Sequence, residues 1–207
     1  MKIVITKNAR ILTLFAIGCT AVVGVVNLLT KDTIALQQRK ALLSSLNTII
    51  TPERYDNNLF EDCTLISDIS GNEQKVYLAR FQGKPVAAAY TATAPDGYSG
   101  NINMIVGVNL DNSVSAVRVL EHKETPGLGD KIEVRKSDWI KSFSDKKLES
   151  ESDMRWRVAK DGGMFDQFTG ATITPRAVVN TVKATVLHFN EHKTDLFQSE
   201  KLCWAEQ

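Results

Sequence analysis

An almost unbroken apolar run, Ile11 to Leu29, constrains this chain more than any other feature. At about 1.5 Å per residue, its roughly 19 residues would form a helix long enough for a bilayer core of about 30 Å. Its only strongly polar residue is Asn27, close to one end. Lys2, Lys7 and Arg10 precede the run with no acid among them, and Lys31 and Asp32 follow it and offset each other. The positive-inside rule therefore puts residues 1–10 in the cytoplasm, 11–30 across the membrane and the remainder on the far side. A cleaved signal peptide would have a shorter apolar core and a small-x-small site after it, and Asn27-Leu28-Leu29 is not such a site. Ala16-Ile17-Gly18-Cys19 faintly resembles a lipobox, but mostly apolar residues continue beyond Cys19, where a lipid-modified cysteine would open a polar chain. An uncleaved anchor is the better reading, with Cys19 as a small apolar residue.

Residues 31–52 keep helical spacing through Ile34, Leu36, Leu42, Leu43, Leu46, Ile49 and Ile50 until Pro52 stops them. They are expected to form a juxtamembrane helix leading into a globular domain over 53–207. From Cys63 the pattern turns to strands. Thr64–Ser70, Gln74–Phe81, Pro85–Thr93, Ile102–Asn109 and Val114–Glu121 are β-branched or alternating. Gly71-Asn72, Gln82-Gly83-Lys84 and Asp111-Asn112 are short turns between them, so the strands read as an antiparallel meander. Ala94 to Gly100 reads as a loop carrying Tyr98. A short helix over Asp138–Phe143, a brief strand at Arg155–Val158, a turn at Lys160–Gly163 and an amphipathic helix over Arg176–Glu191 complete an α+β domain with flanking helices.

The chain has 207 residues, enough for one medium domain plus an anchor. Its net charge of +1, with basic residues scattered, gives no electrostatic case for nucleic acid. Three histidines and three cysteines show no CxxC and no paired metal spacing, which argues against zinc, haem or an iron–sulfur cluster. His188 and His192, four apart on the last helix, read as surface residues without a third ligand.

Two dense stretches carry the candidate chemistry. The first is Asp166-Gln167-Phe168-Thr169-Gly170-Ala171-Thr172-Ile173-Thr174-Pro175. Thr174 before Pro175 reads as an N-cap with proline at the first helical position, which by itself is ordinary capping. It also places a hydroxyl beside unpaired N–H groups at the positive end of a helix, an anion site suited to phosphate. The second is Glu121 to Asp130, where Glu121, His122 and Glu124 precede Pro-Gly-Leu-Gly. By residue type it is either acid–base machinery or a solvated strand end followed by a turn.

The first stretch resembles the flavinylation motif of the FMN-carrying subunits of bacterial Rnf and sodium-pumping NADH:quinone oxidoreductase complexes. Thr169-Gly170-Ala171-Thr172-Ile173-Thr174 matches Ser/Thr-Gly-Ala-Ser/Thr-apolar-Ser/Thr at every position, with Asp166 upstream. Glu124-Thr125-Pro126-Gly127-Leu128-Gly129 is similar to a segment that walls the flavin in that family, and Tyr98 to a Gly-Tyr segment near it. Length and spacing are closer to the RnfG/RsxG family of the Rnf/Rsx complexes than to the longer quinone-reductase relatives. The resemblance implies covalent FMN in phosphoester linkage to Thr174, with Thr172 as the second-choice hydroxyl. Thr169, Gly170, Ala171, Glu124, Thr125, Gly127, Leu128 and Tyr98 would surround the cofactor, and a separate flavin transferase would read Asp166. It further implies a single-pass component of the bacterial inner membrane, with its FMN domain in the periplasm. Such a component passes electrons inside a multi-subunit translocase, coupled to ion movement or to reduction of a redox-sensing regulator. It is not a stand-alone enzyme. The rival readings are a non-redox anchored domain that holds a phosphate ligand reversibly, and a scaffold subunit. Periplasmic placement also permits oxidation, and Cys63 and Cys203 are then the only cysteines there, so a disulfide between them is expected.

Overall fold

The strand-rich middle of the chain forms one five-stranded antiparallel sheet in sequence order. The computed structural model describes residues 2–67, 73–199 and 203. The strands are β1 (Cys63–Ser67), β2 (Glu73–Phe81), β3 (Lys84–Gly97), β4 (Gly100–Asn109) and β5 (Val114–Glu121), with helices α1 (Lys2–Ile49) and α2 (Ile173–Gln198). The expected turn at Gly71-Asn72 lies outside the described residues, as do 68–70 of the expected first strand. The chain divides into two units, residues 1–42 and 43–207. In the first, the apolar side chains from Ile11 to Leu29 are exposed, and the helix is long and apolar enough to cross a membrane. Anchor and juxtamembrane segment form one continuous helix, since no proline interrupts α1 before Pro52.

In the second unit, strand alternation sorts side chains onto two faces. Ala88, Tyr90, Ala92 and Ala94 of β3 and Met104, Val106 and Val108 of β4 share one buried cluster with Val178, Val182, Val186 and Phe189 of α2. Full burial of each such valine or phenylalanine contributes roughly 1.5–3 kcal/mol. The alanines of β3 are small, which lets the helix lie close. On the opposite face, Leu46, Ile49 and Ile50 at the end of α1 are buried. Gly107 of β4 makes room there, since a Cβ on it would fall 2.3 Å from Ile49 Cγ2. Leu46, Ile49 and Ile50 therefore belong to the domain core, while Asn47 and Thr48 between them are exposed.

Three further boundaries differ from expectation. β3 continues through Pro95, and the predicted 94–100 loop becomes the end of the β3–β4 hairpin, with Gly97 paired to Gly100. A register shift between Ala94 and Gly97 absorbs the proline, which cannot donate to the ladder. Arg155–Val158 is not a strand; only Val158 bridges to Phe165. α2 extends past Glu191 to Gln198, because Leu196 is buried and anchors the last turn. There Arg80 Nη2 donates to the Phe197 carbonyl at 2.9 Å, and Arg80 Nε to Asp62 at 3.0 Å. Cys63, opening β1, is bonded to Cys203, with Cα atoms 5.7 Å apart.

The two tyrosines buried in β2 and β3 report on this packing. Burial pushes the Tyr77 phenol up to about 12 and that of Tyr90 upward as well. A phenol raised above its unfolded value of about 10 contributes stability that is complete below that pH and is lost as pH rises through the folded value. Absorbance titration is expected to find these two phenols ionising together with alkaline loss of near-UV dichroism. Ionisation of both near pH 10 in a domain that stays folded would contradict the packing.

Candidate functional site

Three segments converge at the start of α2. The tip of the β3–β4 hairpin supplies Tyr98 and Ser99. Tyr98 is 68% exposed, while the Ser99 N–H donates to Glu124 Oε1 at 2.9 Å. The loop leaving β5 supplies Glu124, which is buried. His122 holds the backbone there: its Nδ1 accepts the Glu124 N–H at 3.0 Å, and its Nε2 faces Glu133 Oε1 at 2.8 Å. Accepting at Nδ1 leaves the ring proton on Nε2, as donor to Glu133. Hydrogen bonds from Arg135 and then His122 hold the Glu133 carboxyl below its ordinary value.

Thr125 to Leu128 is a type II turn. The Leu128 N–H bonds the Thr125 carbonyl at 3.1 Å, Pro126 occupies the second position and Gly127 the third, at φ 79°. Phe168 to Ala171 is a second such turn, closed at 3.0 Å with Gly170 at φ 79°. The two face each other, since a Cβ on Gly170 would lie 3.6 Å from Leu128 Cδ2. Behind the second turn, Trp139 Nε1 donates to the Asp166 carbonyl at 2.7 Å and its ring meets Phe168 edge-on at 5.1 Å. Phe143, Trp156 and Phe165 continue that aromatic cluster. Asp161 and Arg176, paired at 2.7 and 3.0 Å, tie the preceding turn to α2.

The helix-cap expectation is corrected here. α2 opens at Ile173, and the N-cap position belongs to Thr172, whose side chain makes no capping bond. Thr174 and Pro175 lie inside the first turn, where a proline costs nothing because that turn's N–H groups have no intrahelical acceptor. The Thr174 side chain is turned inward, fully buried, and its hydroxyl donates to Glu124 Oε2 in a very short hydrogen bond. Gly129 sits against this pair: a Cβ on it would lie 2.8 Å from both Thr174 Oγ1 and Glu124 Oε2.

A cavity of about 280 Å³ is lined by Tyr98, Glu124, Thr125, Leu128, Gly129 and the 170–174 segment. Small-molecule pockets span about 300–1,000 Å³, so this one would enclose part of a cofactor and leave the rest at the surface. Its rim is apolar and open, with Leu128 and Ile173 nearly half exposed beside Tyr98. Unpaired first-turn N–H groups, small residues and an apolar rim suit a phosphate carrying a planar ring. Of the residues singled out in the sequence, the structure brings Tyr98, Glu124, Thr125, Leu128, Gly170, Ala171, Thr172 and Thr174 together around this cavity. Gly127 shapes the turn without lining it, and Thr169 and Asp166 are exposed outside it. The sequence reading did not single out Gly129, Ser99, Trp139 or the pairing of His122 with Glu133 as supports. Only Gly129 carried a sequence signal, as the glycine that closes Pro-Gly-Leu-Gly. His188, expected at the surface, is half-buried with Nδ1 3.4 Å from the Tyr90 hydroxyl, and lies outside the site.

Residues 97–186, which span all three segments, match the FMN-binding domain, and residues 1–49 match the RnfG N-terminal region. The chain is 52% identical over 204 residues to the G component of the ion-translocating oxidoreductase complex of Shewanella oneidensis, covering 97% of this chain and 96% of that one. It is 52% identical over 194 residues to the same component from Aliivibrio fischeri strain MJ11, covering 92% of each. The corresponding Pseudoalteromonas atlantica protein is 46% identical over 210 residues, covering 100% of this chain and 98% of that one. Among solved structures, NqrC of Shewanella oneidensis shares the fold, with a TM-score of 0.50 at 24% identity over 75% of this chain and 74% of that one.

The contact at Gly129 gives a direct test of the site's packing. Gly129→Ala is expected to destabilise the protein by about 1–3 kcal/mol, as overpacked cores do. That corresponds to a fall of about 2–4 °C in Tm per kcal/mol, read by thermal unfolding. An unchanged Tm would contradict the close approach of Gly129 to Thr174 and Glu124.

Proposed function

The chain belongs to the RnfG family of ion-translocating oxidoreductase components, and from that premise we propose that it carries electrons through an FMN joined covalently to Thr174. The observation that supports this reading is the Thr174 hydroxyl, set in the first turn of α2 against a buried carboxylate in a cavity with an apolar rim. FMN supplies electron transfer when bound; the protein sets its place and surroundings. The N–H groups opening α2 would face the phosphate, and Leu128, Ile173 and Tyr98 would flank the ring. Thr125 would bond its polar edge. The anchor at 11–30 would keep the domain at the membrane, beside the other subunits of an Rnf-type complex. A covalent link suits a carrier held in the periplasm, where a dissociated flavin would be lost by dilution.

The choice of Thr174 over Thr172 now rests on different grounds from capping. Thr172 is half-exposed at the cap position, while Thr174 alone of the two has a carboxylate hydrogen-bonded to its hydroxyl. Asp166, exposed with its carbonyl held by Trp139, would be read by a flavin transferase from outside. Coupling to ion translocation or to reduction of a redox-sensing regulator completes the proposal. Periplasmic placement of residues 53–207 also gives the Cys63–Cys203 bond an oxidising compartment.

Two experiments test these statements. Full-length protein made with a flavin transferase is expected to keep its yellow colour and fluorescence on a denaturing gel. Thr174→Ala removes both and Thr172→Ala keeps them. Flavin released by denaturation would contradict the covalent link, and a colourless protein would turn the reading to a phosphate-binding or scaffold subunit. For the disulfide, the oxidised domain is expected to migrate differently with and without reductant. Two free thiols, at Cys63 and Cys203, would contradict it.

A further inference from the structure

A groove of about 710 Å³ lies between the end of α1, β5 and residues 133–135, against about 280 Å³ for the candidate cofactor cavity. Ser44 and Thr48 of α1, Arg118 and Leu120 of β5, and Val134 and Arg135 line it. Arg118 is half-buried there, yet it forms no ion pair among the described residues. Its Nη1 donates to the Val117 carbonyl at 2.7 Å, while Nε and Nη2 have no acceptor among those residues. Burial pushes the guanidinium below its ordinary value. A desolvated charge is costly until an opposite charge meets it. The acids of the groove do not meet it. Glu133 is held by Arg135 and His122, and Glu121 is exposed. An arginine that only blunted a sheet edge would reach into solvent, whereas Arg118 lines the groove.

The outer edge of β5 is uncovered beside this arginine. At its start, the Val114 N–H donates to the Lys146 carbonyl at 2.9 Å, and the Asp145 N–H to the Val114 carbonyl at 2.8 Å. Beyond Val114, the described residues make no further backbone bond along that edge. Leu120 and Val134, 44% and 38% exposed, add apolar surface to the groove.

We propose that this groove receives an extended, carboxylate-bearing segment of another subunit of the membrane complex, with the carboxylate on Arg118 Nε and Nη2. This rests on the assembly reading above. Two parallel N–H groups suit one carboxylate, and an extended backbone suits an open strand edge. Apolar side chains of the segment would cover Leu120 and Val134. A second copy of this chain fits poorly. A two-fold contact sets one surface against itself, so a groove would meet a groove, and each copy would bring another unpaired Arg118. A lipid headgroup would bring negative charge but no backbone groups for the edge. The groove ends at His122 and Glu133, and His122 Nδ1 accepts the Glu124 N–H at 3.0 Å. The docked segment would therefore border the loop that carries Glu124, and would hold its subunit beside the cofactor cavity.

The test is site-specific photo-crosslinking in membranes that contain the whole complex. The full-length tagged chain carries a benzoylphenylalanine in place of Leu120, and crosslinked peptides are identified by mass spectrometry. The expected product joins Leu120 to a segment of another subunit within a few residues of an Asp or Glu. Its yield is expected to fall at least about tenfold in Arg118→Glu, since losing one partner of a desolvated charge pair weakens a contact by more than that. Reversing the charge of the crosslinked acid is expected to restore the yield in the Arg118→Glu background. Thermal unfolding checks that the variant is folded. If it is not, Arg118→Met, which keeps the length without the charge, takes its place with the same expected loss. An assembled complex with no crosslink from Leu120, or with crosslinks only to lipid or to a second copy, would overturn the proposal. So would an unchanged yield in the folded Arg118 variant. A wild-type chain that brings down no other subunit would instead remove the assembly reading itself, and this proposal with it.

Discussion

The hydrogen bond from Thr174 to Glu124 joins parts of the chain that are far apart in sequence. The two residues are 50 positions apart, and Glu124 reaches a further 25 positions back to Ser99. One buried carboxylate thus ties together the start of α2, the loop leaving β5 and the tip of the β3–β4 hairpin. Burying a carboxylate is costly unless donors satisfy it, so the fold at this corner depends on both hydrogen bonds being made. The same dependence excludes side chains from Gly129, whose Cα faces the pair.

The surrounding structure is rigid where it supports this bond and open where a ligand would approach. Two type II turns set the backbone on either side, each with its glycine at φ 79°. Trp139, Phe143, Trp156, Phe165 and Phe168 pack behind the second turn, and His122 with Glu133 braces the first. In front, Tyr98, Leu128 and Ile173 stand exposed. Exposed apolar side chains around a buried polar centre are what a flat ring with a phosphate tail requires. They are hard to explain as packing, since nothing among the described residues of the domain covers them.

Much of the fold was legible because it depends on local pattern. Alternation marked β2, β4 and β5 to within two residues, and the apolar periodicity of Arg176–Glu191 marked α2. Departures came where tertiary packing overrode local signals. Pro95 reads as a breaker, yet a bulge lets β3 carry it to the hairpin tip. Thr174-Pro175 reads as a cap, yet proline is equally comfortable deeper in the first turn, and burial of the Thr174 hydroxyl on Glu124 sets the helix start two residues earlier. The site was legible in its residue types and, through resemblance, in their grouping. Its geometry was not, because the Ser99–Glu124–Thr174 chain of hydrogen bonds and the close approach of Gly129 depend on contacts between distant segments that no spacing encodes.

The central claim is that Thr174, with Glu124 behind it, is where the chain takes up its cofactor. Tandem mass spectrometry of the peptide spanning Thr169 to Arg176, from protein matured with a flavin transferase, tests it most directly. The account predicts one FMN phosphoester localised to Thr174, with Thr169 and Thr172 unmodified. Modification at Thr172 would contradict the role given to the buried hydroxyl and its carboxylate, and an unmodified peptide would contradict the covalent carrier altogether.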